Sequence, residues 1–347
     1  MYKINNIEIY NFKSIKHQRI DGCNKINLFI GYPNVGKSNV LEALGLYSLP
    51  AFETLNLKDA VRIDNIPNLF FNGNVENSIQ VVINESVDLD IRYSRTGGLN
   101  LICRDVTLTN EDEYFKYHIK NDLTFKKETR QLVPLYSHNY FGPIFKYNFN
   151  TISTGKIQNG SIYNKLSVPN GSNLYSFINY NEELKSEVKD LLERFQLSLV
   201  FDQATQSMKV LKKINEENLF IVPFDLIADT LQRLIFYKAA IISNENSVLL
   251  FEEPEAHMFP PYIKKLTTDI LLDESNQFFI ATHSPYVLNE FIENSGDDLS
   301  VYLVDYKNGE TVIKLLSKEK LNEVREFGVD LFFNLEDYLN DRQINPD

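Results

Sequence analysis

Apolar and polar residues alternate from Ile7 to Tyr10, whereas Ile26-Asn27-Leu28-Phe29-Ile30 is apolar at four of five places. The first pattern predicts a strand with one wet face and the second a strand buried on both faces, so a strand runs into residue 31. The period then changes. Val40, Leu41, Leu44 and Tyr47 share one helical face and predict a helix over residues 36–47. From about 51 to 215 the chain is rich in Asn, Tyr, Ser and Lys, with strand-like pieces at Ile79–Ile83 and Leu89–Tyr93. Within it, Leu184, Val188, Leu191, Leu192 and Phe195 fall at helical spacing over 182–197. This stretch reads as an insertion. Regular alternation returns at about 219, with an apolar helix over Phe224–Ile241, a strand at Val248–Phe251 and a helix opened by Pro260-Pro261. A strand at Phe278–Thr282 and another helix follow. Proline in a first helical turn sacrifices no intrahelical bond. Strands alternating with helices predict an α/β sheet. Asn308-Gly309, between Val301–Asp305 and Thr311–Leu316, signals a tight hairpin, and a last helix runs from Ser317 to Gly328.

Composition narrows the class. Of 347 residues 43% are apolar and 24% charged, as in a globular protein. No apolar run approaches the roughly 20 residues of a membrane span, and the N-terminus lacks the apolar core of a signal peptide, so the expected location is the cytoplasm. Cys23 and Cys103 are too few for a disulfide framework or a four-cysteine zinc site. The net charge of −12 argues against wrapping nucleic acid with the whole surface. A local basic patch, Lys116, Lys120, Lys126, Lys127 and Arg130 among Tyr114, Phe115, Tyr117 and Phe125, keeps DNA open as a partner. Asp122 and Glu128 within the patch favour a solvated face instead. The aromatic cluster Tyr136, Tyr140, Phe141, Phe145, Tyr147 and Phe149 reads as core. His17, His118 and His138 have no metal-like spacing.

The chemistry begins at Gly31-Tyr32-Pro33-Asn34-Val35-Gly36-Lys37-Ser38, which fits G-x-x-x-x-G-K-[ST] between a predicted strand and a predicted helix. Glycines let such a loop curl so that its N–H groups point at phosphates, and the helix N-terminus adds positive potential. Lys37 is expected on the β- and γ-phosphates of a nucleotide and the Ser38 hydroxyl on Mg²⁺, a cradle that by itself does not separate ATPase, GTPase and kinase. The nucleotide-binding set is Gly31, Asn34, Val35, Gly36, Lys37, Ser38 and Asn39. A second motif, Val248-Leu249-Leu250-Phe251-Glu252-Glu253, is a buried strand ending in two carboxylates whose side chains diverge. Glu252 is assigned to the metal and Glu253 to the base that activates water.

With Glu252-Glu253-Pro254-Glu255-Ala256-His257 and, after another strand, Ala281-Thr282-His283-Ser284-Pro285, the chain resembles the ABC-type ATPase heads of the RecF/SMC/OLD group, and among them the OLD-like ATPases. Ile9-Tyr10-Asn11-Phe12-Lys13-Ser14-Ile15 resembles the opening strand of the same group. Matches cover about 1–48 and 219–335. The resemblance implies a metal-side Glu252, a catalytic base Glu253, a switch histidine His283, and Lys13 and Ser14 approaching the nucleotide. The expected architecture is an α/β P-loop NTPase, with residues 1–50 and 219–347 forming an ABC-type head and 51–218 a mixed α+β insertion that contacts a partner or nucleic acid. The sequence departs from the group at Leu226-Ile227-Ala228-Asp229-Thr230-Leu231-Gln232-Arg233, where the group's signature helix carries glycine and this chain has none.

The expected protein is therefore a Mg²⁺-dependent ATPase that dimerises, or assembles further, through ATP-bound heads and serves DNA processing or anti-phage defence. A nuclease or other effector would be supplied in trans, because the TOPRIM nuclease domain of OLD-type enzymes is not expected here. A scaffold that binds ATP and scarcely hydrolyses it is the alternative. A GTPase is disfavoured because no Asn-Lys-x-Asp segment follows the P-loop at a plausible place.

Overall fold

The computed structural model describes residues 3–52, 55–95, 97–106, 113–127, 143–150 and 164–340. Glu128, Arg130, Tyr136, His138, Tyr140 and Phe141 lie outside them. The chain divides into two compact units, one of Met1–Lys146, Asn246–Glu253 and Glu274–Asp347, the other of Tyr147–Glu245 and Pro254–Asp273.

The first unit opens with β1 (Ile7–Phe12), β2 (Ile15–Ile20), β3 (Ile26–Ile30) and α1 (Lys37–Gly45). It continues through β4 (Ile79–Ile83), β5 (Val87–Tyr93), β6 (Leu99–Asp105), β7 (Glu113–Ile119), β8 (Phe125–Lys127) and β9 (Ile144–Tyr147). Seven of these strands form an antiparallel sheet in the order β2-β1-β4-β5-β6-β7-β8. Strands expected in an insertion thus continue the N-terminal sheet, with Ile7 opposite Ile83 and Tyr10 opposite Gln80. Ile79, Val81 and Ile83 are buried as Ile7 and Ile9 are, so β1 and β4 present one apolar face. The polar composition past residue 51 marks the wetter faces and loops of that sheet. The compact units divide at Lys146/Tyr147, not at 50/51. Tyr114, Phe115, Tyr117 and Phe125 are buried, their rings packing along β7 and β8 at 5.1–5.3 Å where Tyr117 meets Phe115 and Phe125, so they form no stacking platform beside Lys116.

In the second unit, α2 (Leu174–Tyr180) and α3 (Glu182–Glu193) precede the meander β10 (Leu197–Asp202), β11 (Ser207–Lys213) and β12 (Leu219–Pro223), followed by α4 (Asp229–Ile242). Asn181 caps α3 by accepting from the Leu184 N–H. The helix stops short of 197 because Gln196 turns to φ 57 and Leu197 enters β10. The helix expected from Phe224 begins at Asp229, since Leu219–Pro223 pairs with β11 and residues 224–226 form one 3₁₀ turn.

The remaining elements are β13 (Val248–Glu252), α5 (Pro260–Leu272), β14 (Gln277–Ala281), α6 (Pro285–Asn294), β15 (Leu299–Lys307), β16 (Glu310–Leu315), α7 (Lys318–Phe327) and α8 (Leu335–Leu339). All but α5 belong to the first unit, whose second sheet runs β16-β15-β3-β14-β13-β9. β15, β3, β14 and β13 are mutually parallel, which explains why β3 and β14 are buried at every position. Asn27 is tolerated there because its amide donates to the carbonyls of Asn24 and Phe278, and its oxygen accepts from the Asn24 N–H. Asn308 and Gly309 both take positive φ at the β15–β16 turn, as the hairpin signal requires.

Candidate functional site

The chain leaves the fully buried β3 into residues 31–36 and enters α1 at Lys37, the strand-loop-helix path of a phosphate-binding loop. Gly31 and Gly36 are needed for different reasons. A Cβ at Gly31 would lie 2.1 Å from the Val304 carbonyl oxygen; at Gly36, where φ is +103, it would lie 2.2 Å from the Thr311 hydroxyl. No side chain caps α1, whose first turn follows the loop directly as at an anion-binding helix N-terminus, although the Asn39 N–H already donates to the Gly36 carbonyl (3.0 Å). Lys37 is buried and donates to the carbonyls of Gly31 (3.0 Å) and Tyr32 (2.7 Å). Burial pulls its ammonium down from 10.5 to about 8, with Glu253 and then Glu252 acting in the opposite sense. The loop is tied from below. Thr311 on β16 donates to the Val35 carbonyl (2.8 Å) and shares a 2.6 Å hydrogen bond with Ser14, which also accepts from Asn39 (2.6 Å). Ser14 and Asn39 are thus brought together behind the loop, and Val35 is buried against this tether. Asn34 is exposed and holds φ 64.

α1 packs against β13, which sets Ser38 and the strand-end carboxylates on neighbouring elements. Glu252 is paired with Ala281 in the ladder, and the next N–H, that of Glu253, still donates to the Ala281 carbonyl (2.8 Å). Glu253 takes φ 43, a left-handed conformation that a residue with a Cβ adopts only at a cost. That twist leaves Glu253 half exposed, 3.6 Å from His283 Nε2. His283 follows β14 and the buried Thr282, whose hydroxyl accepts from the Ser284 N–H (3.0 Å), while Ser284 caps α6. Burial first, and Lys37 second, hold the His283 imidazole below its ordinary 6.5, against the pull of Glu253. Lys37, Glu253 and His283 are therefore mutually coupled in one place.

Lys13 is placed differently. Its ammonium forms an ion pair with Glu42, a fully buried residue of α1, and donates to the Arg62 carbonyl (2.8 Å). Glu42 also accepts from Arg62 Nε (3.0 Å), and Arg62 Nη2 reaches Glu252. The buried Lys146 stands 3.9 Å from the other Glu252 oxygen and donates to the Ala60 carbonyl (2.9 Å). Despite burial, Lys146, Lys13 and Arg62 together hold the Glu42 carboxyl below its ordinary value.

A family model described as "AAA domain, putative AbiEii toxin, Type IV TA system" matches residues 26–289, about three quarters of the chain. The chain belongs to this AAA-domain family. It is a P-loop ATPase of the AAA-domain type. A protein of Helicobacter pylori described as an ATP/GTP phosphatase is 24% identical over 330 residues, covering 84% of this chain and 86% of that protein. Among solved structures, a SmcHead bound to the C-winged helix domain of ScpA has a TM-score of 0.57 at 15% identity and covers 92% of this chain and 99% of its own. An Smc head domain with an extended coiled coil, bound to the C-terminal domain of ScpA derived from Pyrococcus furiosus, has a TM-score of 0.55 at 14% identity and covers 94% and 99%. The likeness to these heads establishes the ABC-type ATPase fold.

In this AAA-domain protein α4, the helix whose sequence was compared with the group's signature, belongs to the second unit. Asp229, its first residue, accepts from Arg233 (2.7 Å), whose guanidinium also lies 4.6 Å over the Phe149 ring. The Thr230 hydroxyl donates to the His257 carbonyl (2.7 Å). Every polar group considered for phosphate contact in this helix therefore has a partner within its own unit. Sequence reasoning missed Glu42, Arg62, Lys146 and Thr311. None belongs to a contiguous motif, and Thr311 meets Ser14 only because β16 packs beside β2.

Proposed function

We propose that the chain hydrolyses ATP with Mg²⁺ at the end of β3 and β13, and that the coupling of Lys37, Glu253 and His283 carries this reading. Ser38 and Glu252 supply hard oxygen donors, which suit Mg²⁺ with phosphate and water completing its shell. Bound there, Mg²⁺ would neutralise charge on the β- and γ-phosphates. Lys37 exchanges two carbonyls for phosphate oxygens. Glu253 takes the proton of the attacking water as the bond between the γ-phosphorus and the bridging oxygen breaks, then returns it to phosphate. His283, neutral near pH 7, orients Glu253 and the γ-phosphate without adding a charge.

ATP binding would promote pairing of two heads, and hydrolysis would release them, making an ATP-gated dimerisation switch of OLD-like kind that works with an effector protein in DNA processing or defence. The Smc heads, crystallised with a ScpA domain, and the toxin wording of the family description support partner-dependent action. Glu253→Gln tests the reading. It should lower phosphate release at least a hundredfold while ATP stays bound and the dimer fraction rises in light scattering; turnover at the wild-type rate would refute it. GTP belongs in the same assay, given the description of the Helicobacter relative. A second reading, an ATP-binding scaffold with little turnover, is favoured by the internally partnered Asp229, Thr230 and Arg233, and is chosen if wild-type phosphate release is negligible while ATP-dependent pairing persists.

A further inference from the structure

Glu252 is covered by cations on both of its oxygens. Arg62 Nη2 hydrogen-bonds Oε1, and Lys146 Nζ lies 3.9 Å from Oε2. The two cations differ in freedom. The Arg62 side chain is 69% exposed, on the loop before residue 63, whereas Lys146, on β9 beside β13, has a side chain 3% exposed that donates to the Ala60 carbonyl. Arg62 can therefore leave Glu252 and Lys146 cannot. Glu42 explains how Arg62 could depart without harm. A fully buried carboxylate left with one cation would be penalised heavily, yet Glu42 has Lys13, Arg62 and the field of Lys146. Losing one leaves two. Arg62 also spans both carboxylates, Nε on Glu42 and Nη2 on Glu252, as only a planar fork can.

We propose that Arg62 is a positioning residue that competes with Mg²⁺ for the Glu252 carboxylate, parked between Glu252 and Glu42 until the metal displaces it, while Lys146 keeps the carboxylate aimed. This rests on the assignment of Glu252 to the metal. A cation held at Glu252 by Arg62 raises the Mg²⁺ concentration needed to complete the site, so that metal entry is coupled to movement of the loop bearing Arg62. The cavity beside that loop, about 610 Å³ and lined by Lys58, Val61, Arg62, Ile63, Asp64 and Asn68, gives the side chain room to move.

The test is a Mg²⁺ titration of the full chain with a non-hydrolysable ATP analogue, read by calorimetry, alongside analogue binding in EDTA. Arg62→Ala should lower half-saturating Mg²⁺ about three- to tenfold and change the EDTA affinity less than twofold, with at most a small drop in melting temperature because the buried Glu42 keeps Lys13 and the field of Lys146. Arg62→Lys, which cannot bridge both carboxylates, should fall between. In a Glu252→Gln background Arg62→Ala should have no effect on the metal midpoint. An unchanged or raised midpoint in Arg62→Ala, with wild-type binding that remains Mg²⁺-dependent, overturns this proposal alone. Wild-type binding indifferent to Mg²⁺ overturns the metal assignment of Glu252 and this proposal with it.

Discussion

Lys37 should make nucleotide affinity fall steeply as pH rises above 8, a range in which the triphosphate itself no longer titrates. The ammonium sits at about 8 because burial outweighs the pull of Glu253 and Glu252, and the ordinary value is 10.5. At about 1.4 kcal/mol per pH unit, holding it charged in the folded protein costs about 3 kcal/mol. Phosphate oxygens return it at least to its ordinary range, so binding takes up a proton between pH 8 and 10.5. Linkage then gives affinity weakened roughly tenfold from pH 7 to pH 9 and roughly 70-fold by pH 10. The sign for folding is opposite. The folded value lies below the unfolded one, the unfolded chain binds more protons in that window, and the Lys37 penalty is fully present below pH 8 and relieved on rising to 10.5. The assay is equilibrium binding of a fluorescent ATP analogue at fixed free Mg²⁺ from pH 7 to 10. Lys37→Arg is the control, since guanidinium does not titrate there; it should bind more weakly but with a flat profile. A flat wild-type profile would show that Lys37 keeps its proton throughout, and the account of a desolvated ammonium would be wrong.

Other consequences follow from the charges and tethers behind the loop. Glu42→Gln should cost about 3 kcal/mol in urea denaturation, since the buried Lys146 loses its main counter-charge, and Glu42→Gln/Lys146→Met should recover most of it; a double variant no better than the single one would refute the pairing. Because the folded Glu42 value lies below 4.5, its stabilisation is present above that pH and lost as pH drops through the folded value, so wild type but not Glu42→Gln should lose stability with this profile as pH falls below 4.5. Thr311→Val removes bonds to Ser14 and Val35 and should cost about 1–2 kcal/mol and weaken ATP binding several-fold, whereas Thr311→Ser should behave as wild type. Equal behaviour of the two variants would sink the idea that β16 positions the loop.

The contiguous parts of the site were legible because each is dictated by neighbours in the chain. Gly31 to Ser38 needs a strand before it and a helix after it, and Ile26–Ile30 and Val40–Leu44 announce both. The strand-end acids were legible for the same reason, and so was the Asn308-Gly309 hairpin. What escaped was set by pairing across long separations. A solitary Arg62 in a polar stretch looks solvated, and its side chain is indeed 69% exposed; what matters is that its fork meets one carboxylate from α1 and another from β13. The sheet beyond residue 51 escaped because antiparallel strands with wet faces lower local apolarity just as a domain boundary does. Glu253 combines both cases. Its identity was readable from the acid pair, but not its positive φ, which turns the carboxylate out of the ladder and sets it 3.6 Å from His283. Local patterns name the groups proposed for the chemistry, while Glu42, Lys146 and Thr311 meet their partners through pairing that no spacing rule connects. The variants most informative about turnover control are therefore those at Arg62 and Glu42, not further changes within the loop.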